Sequence, residues 1–343
     1  MNQEVPKIPT RPFGHAGVEV PEIGLGCYNL TSDRGTDRQT ALETLQRAYE
    51  LGVRFFDTAP QYGAGECDEL LADAFGHLSD DEVFIGAKLS GPPDDLLNFS
   101  YDSCMRSFEG TLKRLRRSSV FALQVHGIRG VRDIEGELRE WRLCYEKDMA
   151  FGALLKLKEQ GVCQTIGATG HNSICIADAL KHFPLDSVEI ASHYNLISHT
   201  APQTLLPLTQ AKEVAAIIAN PLGAGQLINI ESYKGNMPGA MPLAEAVPLL
   251  REMMEETGLA LYELALLYLL ADDRVTFPIP GPSNVAELEA DIGVAWLPRL
   301  TAEQVARLDQ IGTRKMWVKV ADDDGVRLEA VEFRPEWLAS VDG

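Results

Sequence analysis

Short apolar runs alternate with amphipathic segments along most of the chain. The runs do not alternate strictly between apolar and polar residues, which is typical of parallel strands buried on both faces. In the segments between them, apolar residues recur every three to four positions, as on one face of a helix. The runs, which predict eight strands, are Ile23–Gly26, Val53–Asp57, Val83–Lys88, Phe121–His126, Cys163–Thr169, Ser187–Ser192, Glu213–Ala219 and Val275–Ile279.

Turn and cap residues mark several ends of the predicted helices. Gly52 and Gly161 each follow the last residue of an amphipathic segment and suit a left-handed C-terminal cap. Ser173 and the pair Ser283–Asn284 offer side-chain oxygens for N-terminal caps. The predicted helical segments are Asp37–Leu51, Cys67–Phe75, Tyr101–Arg116, Met149–Gln160, Ser173–His182, Pro202–Ala211, Leu243–Ala271 (long enough for two helices) and Asn284–Val294.

Eight strand–helix units in succession predict an α/β fold of the (β/α)8 TIM-barrel type, preceded by a β-hairpin over residues 10–22. A doubly wound α/β sheet is the alternative. The connections at 127–142 and 220–242 are longer than packing requires, and both leave the carboxyl ends of strands, where barrel active sites lie. We therefore expect one domain over residues 1–343, with a barrel core at about 20–312, long C-terminal-face loops and a tail at 313–343.

Composition narrows the class of partner. The 343 residues include 31 basic and 50 acidic side chains, a formal charge of −19, which disfavours nucleic acid and anionic membranes. The longest apolar segment, Leu259–Ala271, is too short to span a bilayer, and the first residues lack the pattern of a secretion signal. The six scattered cysteines predict reduced thiols and neither a disulfide nor a zinc framework. We expect a cytoplasmic protein with a small-molecule substrate, and the oligomeric state is left open.

Polar side chains stand at the ends of three consecutive predicted strands. Asp57 ends the second, Lys88 the third and His126 the fourth, and Tyr62 follows the second strand in its loop. In a barrel these ends meet at one mouth, so the four side chains are expected to lie together. Each has an ordinary structural explanation, such as a turn or a satisfied loop histidine. A lysine inside an apolar strand is harder to explain, because a buried ammonium needs an anionic partner, and Asp57 is the obvious candidate.

These residue types support proton transfer to or from a carbonyl oxygen. A free tyrosine has a pKa of roughly 10, and a neighbouring ammonium is expected to lower the pKa of Tyr62 by stabilising its phenolate. His126 can then hydrogen-bond the substrate oxygen. The set contains no nucleophile–base pair and no cluster of metal ligands, so a redox reaction would need a cofactor as its source of electrons or hydride.

Two glycine-rich turns follow the last two predicted strands. Residues 220–226 (NPLGAGQ) follow the seventh strand, and residues 280–284 (PGPSN) follow the eighth. Barrels often hold phosphate at these two loops through backbone amides and a helix N-terminus. The first strand is not followed by G-x-G-x-x-G, which disfavours a Rossmann site.

Seven short motifs resemble, in the same order, those of the aldo-keto reductases, barrel oxidoreductases that use a nicotinamide cofactor. The motifs are GVRFFDTAPQYG, FIGAKLS, LQVHG, TIGATG, HYNL, NPLGAG and IPGPSN, within a match that runs from about Phe13 to Gly312. The resemblance implies that Asp57, Tyr62, Lys88 and His126 form a catalytic tetrad. In this tetrad Tyr62 is the general acid or base, Lys88 and Asp57 tune its pKa, and His126 orients the carbonyl.

The same resemblance implies a binding site for NAD or NADP. Thr169 would lie near the carboxamide, although the chain has Thr169–Gly170 where many members have Ser-Asn, and lacks their Gln near Ala191. Members that prefer NADPH carry Lys or Arg around the loop at 281–287, whereas this chain carries Glu287, so we expect NAD to be used at least as well as NADP. The remaining implied contacts are Gly26, Cys27, Tyr28 and Asp57 for the nicotinamide ribose, Asn220, Leu222, Gly223 and Gly225 for the pyrophosphate, and Gly281, Ser283 and Glu287 for the adenosine end.

The Thr-Gly pair at the fifth strand is similar to the sugar 1-dehydrogenase branch of the family. The predicted function is therefore hydride transfer between a nicotinamide cofactor and a carbonyl or alcohol. The substrate would be an aldose oxidised at C1, or a small aldehyde or ketone that is reduced. Two alternatives stay open: a barrel lyase that forms a Schiff base on Lys88, and a nicotinamide-binding regulatory subunit.

Overall fold

Eight parallel strands form the centre of the molecule, in a computed structural model that describes residues 7–127, 134–322 and 325–339. Neighbouring strands follow one another in chain order with helices between them. The first and eighth strands are also joined, because Gly24 N donates to Pro278 O at 3.0 Å and Gly26 N donates to Pro280 O at 2.8 Å. The predicted (β/α)8 barrel is confirmed, and the doubly wound sheet is excluded. The strands are Leu25–Gly26, Phe55–Asp57, Phe84–Leu89, Val120–Gly127, Cys163–Gly170, Ser187–Ala191, Ala215–Ala219 and Phe277–Ile279.

The predicted N-terminal hairpin is confirmed and closes one end of the barrel. Its strands Thr10–Pro12 and Glu19–Pro21 pair antiparallel. Phe13, just after the first of them, is fully buried, and its ring lies 4.9 Å from that of Phe121 inside the barrel. Burying each such ring stabilises the fold by roughly 1.5–3 kcal/mol. The aromatic floor of the barrel consists of Phe13, Phe55, Phe121 and Phe277.

Each strand contributes side chains both to the floor and to the opposite mouth of the barrel. Residues two apart face the same side, so Phe55 on the floor places Asp57 on the inward face above it. Gly86 likewise lies below Lys88, and it leaves room for a neighbour: a Cβ there would stand 2.5 Å from the ring of Phe55. The sequence therefore places small and aromatic side chains deep in the barrel and polar side chains at its mouth.

The predicted helical segments all form helices, with two differences along the barrel, and the helices Ala302–Leu308 and Glu336–Ala339 were not predicted. Pro202–Ala211 forms two short helices, the second of which has a proline in its first turn, where the missing N–H costs no hydrogen bond. The connection after the fourth strand contains a helix at Ile134–Leu143, so it is only partly a loop; residues 128–133 lie outside the described chain. The helices are Arg38–Glu50, Glu66–Phe75, Tyr101–Leu115, Ile134–Leu143, Ala150–Glu159, Ser173–His182, Ala201–Thr204, Leu206–Ala211, Leu243–Thr257, Leu261–Leu270, Val285–Gly293, Ala302–Leu308 and Glu336–Ala339.

The predicted caps are confirmed at three positions and wrong at one. Gly52 and Gly161 have left-handed φ angles of 100° and 72°. Asn284 accepts a hydrogen bond from Glu287 N, as an N-terminal cap does. The helix Ser173–His182 is capped by Asn172 and not by Ser173, because the Asn172 side chain accepts from Ile174 N and Cys175 N.

The segment after the barrel forms a second hairpin and a short helix. Met316–Asp322 pairs antiparallel with Gly325–Val331. In the helix Glu336–Ala339, Trp337 is buried and donates its indole N–H to Glu135 across 3.3 Å. None of the helices in the described part of the chain is both long and apolar enough to cross a membrane. The single-domain organisation stays a prediction. All six cysteines are buried, and none of them is in a disulfide.

Candidate active site

Lys88 and Asp57 form a buried ion pair at the barrel mouth. The lysine Nζ donates to Asp57 Oδ1, and the two side chains are 0% and 3% exposed. Asp57 ends the second strand, and Lys88 lies on the third, two residues beyond the Gly86 with which Asp57 pairs. The anionic partner predicted for Lys88 is therefore confirmed.

A second carboxylate, which the sequence analysis missed, also binds Lys88. Glu189 Oε2 lies 3.0 Å from Nζ, and the Glu189 side chain is 5% exposed. It projects from the sixth strand, at the position paired with Thr169 of the fifth. The sequence contained a signal for this residue: Glu189 lies inside an apolar strand, and a buried acid needs a partner just as a buried lysine does.

Lys88 and Asp57 each shift the pKa of the other, and Glu189 shifts the pKa of both. Burial lowers the pKa of Lys88, but Asp57 and Glu189 outweigh it and raise that pKa, so the amine stays protonated. Burial and the charge of Glu189 raise the pKa of Asp57, against the effect of Lys88. A permanently protonated amine is a poor nucleophile, which argues against the Schiff-base alternative.

Tyr62 begins a short 3-10 segment, Tyr62–Gly65, in the loop after the second strand. Its partly buried ring packs edge-on against Tyr28, with 5.0 Å between the ring centroids. Burial, followed by the charges of Asp57 and Glu189, raises the Tyr62 pKa well above its usual value. The predicted lowering of that pKa by Lys88 is wrong, because burial of the phenol and the charges of two carboxylates outweigh the effect of one ammonium.

His126 is held as a neutral hydrogen-bond donor. Burial and the nearby Lys88 charge, together with His171, lower the pKa of His126 to about 3. The amide nitrogen of Gln61 lies 2.8 Å from Nδ1 of His126 and donates to it, which leaves the imidazole proton on Nε2. Gln61 precedes Tyr62 within the quoted motif, and its bond to His126 was not predicted from the sequence.

Of the residues predicted around the nicotinamide ribose, Gly26, Cys27 and Tyr28 lie at the end of the first strand, and Asp57 ends the second. Cys27 is fully buried, and its backbone N donates to Asp57 O at 3.1 Å. Tyr28 is 39% exposed, and Arg34 stacks over its ring at 4.0 Å. Thr169 is buried on the fifth strand, in register with His126. Gly26 meets the eighth-strand loop through the bond to Pro280 O described above.

The loop after the seventh strand is folded by left-handed residues. Asn220, Gly223 and Gly225 have φ angles of 55°, 60° and 88°, and Asn220 Oδ1 accepts from Ala224 N at 2.6 Å. Leu222 is half-buried at the start of this turn. Gln226 Oε1 is buried without a hydrogen-bond partner in the described chain. It is therefore available to accept from a hydroxyl or amino group of a bound nucleotide, and the loop fits a dinucleotide.

The loop after the eighth strand is tied to the first and to its own helix. Asn29 Nδ2 donates to Gly281 O at 2.5 Å. Glu287 Oε2 accepts from both Ser283 N at 2.8 Å and Ser283 Oγ at 2.9 Å. Glu287 therefore does not simply face solvent, and its negative charge stays beside the loop. Residues 281–287 contain no Lys or Arg.

A cavity of about 340 Å³ lies beside the ends of the fourth and fifth strands. Its wall is mainly apolar, with a few polar groups at Thr169, Asn172, Glu137 and Glu140. Trp141 lines it as well, and the Trp141 indole nitrogen is buried without a partner in the described chain. The other lining residues are Leu97, Phe99, Gly127, Leu143, Cys144, Met149, Gly170, His171, Cys175 and Ile176.

Comparison with known proteins gives a consistent result. A family model described as the aldo/keto reductase family matches residues 22–313. L-galactose dehydrogenase of Arabidopsis thaliana is 29% identical over 292 residues, which span 83% of this chain and 88% of that protein. Pyridoxal 4-dehydrogenase of Microbacterium luteolum is 28% identical over 245 residues, or 63% of this chain and 71% of that protein. The holo structure of aldo-keto reductase AKR11C1 from Bacillus halodurans matches with a TM-score of 0.72 at 23% identity, covering 90% of this chain and 97% of that one.

Proposed function

Because the chain belongs to the aldo/keto reductase family, we propose that Tyr62, His126, Lys88 and Asp57 carry out its reaction. The family consists of NAD(P)-dependent oxidoreductases that act on a carbonyl or the corresponding alcohol. The observation that carries the assignment is the buried Lys88–Asp57 ion pair, which stands in one mouth with Tyr62 and a neutral His126. This set matches proton transfer at an oxygen and contains no alternative nucleophile.

In the proposed reduction, Tyr62 donates its hydroxyl proton to the substrate oxygen. His126 donates a hydrogen bond from Nε2 to the same oxygen and so fixes its direction. Lys88 stabilises negative charge at this point, and Asp57 holds the ammonium in place. A nicotinamide held by the loops after the seventh and eighth strands would supply the hydride in reduction and accept it in oxidation. In oxidation Tyr62 takes the proton back.

Two substrate classes have specific support. The similarity to L-galactose dehydrogenase favours an aldose oxidised at C1. The apolar cavity beside Thr169 favours a carbonyl compound with an aromatic or aliphatic body, since such walls offer few groups for sugar hydroxyls. The similarity to pyridoxal 4-dehydrogenase, a protein named for an aromatic aldehyde, agrees with the second class.

NAD is proposed to serve at least as well as NADP. The absence of Lys and Arg from residues 281–287 removes the usual partners of a 2′-phosphate. The Glu287 carboxylate, bonded to Ser283, would repel that phosphate. The measurement is kcat/KM with each cofactor at saturating substrate, and a strong preference for NADP would contradict the proposal.

The proposed function is tested with wild type and Tyr62→Phe side by side. Aldoses with the oxidised cofactors, and aromatic and aliphatic aldehydes with the reduced ones, are followed by the absorbance of the reduced nicotinamide. We expect turnover in one class and a loss of roughly 10²-fold or more in Tyr62→Phe, because positioned acid–base groups contribute about 10²–10⁴-fold. Unchanged turnover in Tyr62→Phe would show that another group moves the proton.

A further inference from the structure

Glu189 is a buried carboxylate that none of the family motifs quoted above contains. Its side chain is 5% exposed, and the Lys88 side chain that it contacts is not exposed at all. Strand register holds it at the mouth, because Glu189 pairs with Thr169, which pairs with His126. Three neighbouring strands thus place inward residues at one level. The contact is part of the barrel interior and not an incidental surface ion pair.

The contact brings two carboxylates to a single ammonium. Asp57 and Glu189 both bind the single ammonium of Lys88. Burial raises the pKa of the Tyr62 phenol and the Cys27 thiol and lowers that of the His126 imidazole, so these three groups are neutral. The titratable groups that act on the contact, charged and neutral together, come from every element around it: Cys27 after the first strand, Asp57 and Tyr62 from the second strand and its loop, Cys67 from the following helix, Lys88 from the third strand, His126 from the fourth and His171 after the fifth.

We propose that Glu189 is a positioning residue that shares the Lys88 ammonium with Asp57 and thereby keeps the Tyr62 phenol protonated to higher pH. The inference rests on the proposed function, since Tyr62 is the acid or base of that reaction. A phenol beside one ammonium loses its proton easily, whereas a phenol beside an ammonium and two carboxylates faces a net negative charge. Burial and both carboxylates do raise the pKa of Tyr62.

This arrangement has a consequence for the direction of the reaction. Carbonyl reduction needs the protonated phenol, and alcohol oxidation needs the phenolate. Glu189 therefore favours reduction near neutral pH and moves oxidation toward alkaline pH.

Two variants separate the charge of Glu189 from its size. Glu189→Gln removes the charge and keeps the shape, whereas Glu189→Asp keeps the charge and is the matched control. Oxidation of an alcohol and reduction of the matching carbonyl are measured across pH. In Glu189→Gln we expect the alkaline rise of the oxidation kcat to shift about one pH unit or more downward, since a nearby charge moves a pKa by roughly 1–3 units. KM should change less than kcat, and Glu189→Asp should follow the wild type. A pH profile of Glu189→Gln that matches the wild type would overturn the proposal.

Phenolate absorbance gives a readout that does not depend on turnover. The signal of Tyr62 is the difference between wild type and Tyr62→Phe during a pH titration of the cofactor-free protein. We expect Tyr62 to ionise at higher pH than an exposed tyrosine in the wild type, and at lower pH than the wild type in Glu189→Gln.

The titration also covers two unfavourable cases. If Glu189→Gln does not fold, the wild-type curve decides, because ionisation of Tyr62 below the pH of an exposed tyrosine overturns the proposal. If Tyr62→Phe keeps full turnover, the proposed function fails, while the titration still tests the effect of Glu189 on Tyr62.

Discussion

Gln61 donates its side-chain amide to Nδ1 of His126 across 2.8 Å, and this bond decides which nitrogen of the imidazole carries the proton. With Nδ1 accepting, Nε2 must carry the hydrogen that a substrate oxygen can bind. The histidine pKa of about 3 keeps the ring neutral over the working range. In the proposed mechanism, Gln61 thus acts on the substrate through His126.

Replacing Gln61 tests this orientation. In Gln61→Leu the ring loses its donor, and kcat for carbonyl reduction should fall by about 10-fold or more, as a mispositioned hydrogen-bond donor would cause. In Gln61→Glu a carboxylate accepts from Nδ1–H, so a neutral ring presents Nε2 as an acceptor and kcat should fall further. The variants are compared by steady-state kinetics after circular dichroism confirms their folding. Equal kcat in all three proteins would contradict the tautomer assigned here.

Lys88→Met should destabilise the fold as well as stop turnover. The substitution leaves Asp57 and Glu189 buried without their cation, and breaking such a pair costs roughly 3–5 kcal/mol of unfolding free energy. Adding Glu189→Gln to Lys88→Met should restore part of the loss. Both are measured by urea unfolding. Lys156→Met is the control, since Lys156 pairs with Glu159 on an exposed helix face and its removal should leave stability nearly unchanged. A Lys88→Met protein as stable as this control would contradict the buried ion pair.

Asp291 predicts a stability difference that depends on pH. Burial, aided by Glu287, raises the pKa of this helix residue from 3.8 to about 7. The folded state therefore binds more protons between these values, and the resulting stabilisation, complete below about pH 4, is lost as pH rises through 7. The side chain in Asp291→Asn stays neutral, so the unfolding free energy of this variant should exceed that of the wild type by up to about 4 kcal/mol above pH 7. Below about pH 4 the two proteins should be equally stable. Glu289→Gln, on the exposed face of the same helix, should show no such trend; a pH-independent difference for Asp291→Asn would refute the raised pKa.

Gly86→Ala should weaken the packing beneath the site. Its new Cβ would stand 2.5 Å from the ring of Phe55, and overpacking of this kind costs roughly 1–3 kcal/mol. Gly293→Ala is the matched control, because nothing lies within 4 Å of a Cβ there and the residue ends a helix. The control should be neutral or stabilising by about 0.5–1 kcal/mol. Thermal unfolding of both variants decides, and a Gly86→Ala protein as stable as Gly293→Ala would rule out the clash.

The strands and most helices could be predicted because their signal is local. Apolar runs, cap residues and glycines indicate a strand, a helix end or a turn at the place where they occur. The strand-end positions of Asp57, Lys88 and His126 follow from the predicted barrel. Glu189 and the Gln61–His126 bond could not be placed in this way. Both depend on which inward side chains meet across the barrel, and that is set by strand register. Gly86 pairs with Ala122, and His126 with Thr169, through backbone bonds that no single segment encodes.

The pKa of Tyr62 shows the same limit. One ammonium next to a phenol predicts a lowered pKa. The prediction failed because the phenol is buried and because Asp57 is joined by a second acid, Glu189, which the sixth strand brings to that ammonium. The sign of an electrostatic effect depends on the whole set of buried charges. A local motif contains only part of that set.

The hairpin that carries Phe13 affects how a molecule can reach the site. Within the described residues, the aromatic floor fills the amino-terminal end of the barrel. A small molecule that enters the barrel therefore approaches from the opposite end, where the strands finish at their carboxyl ends.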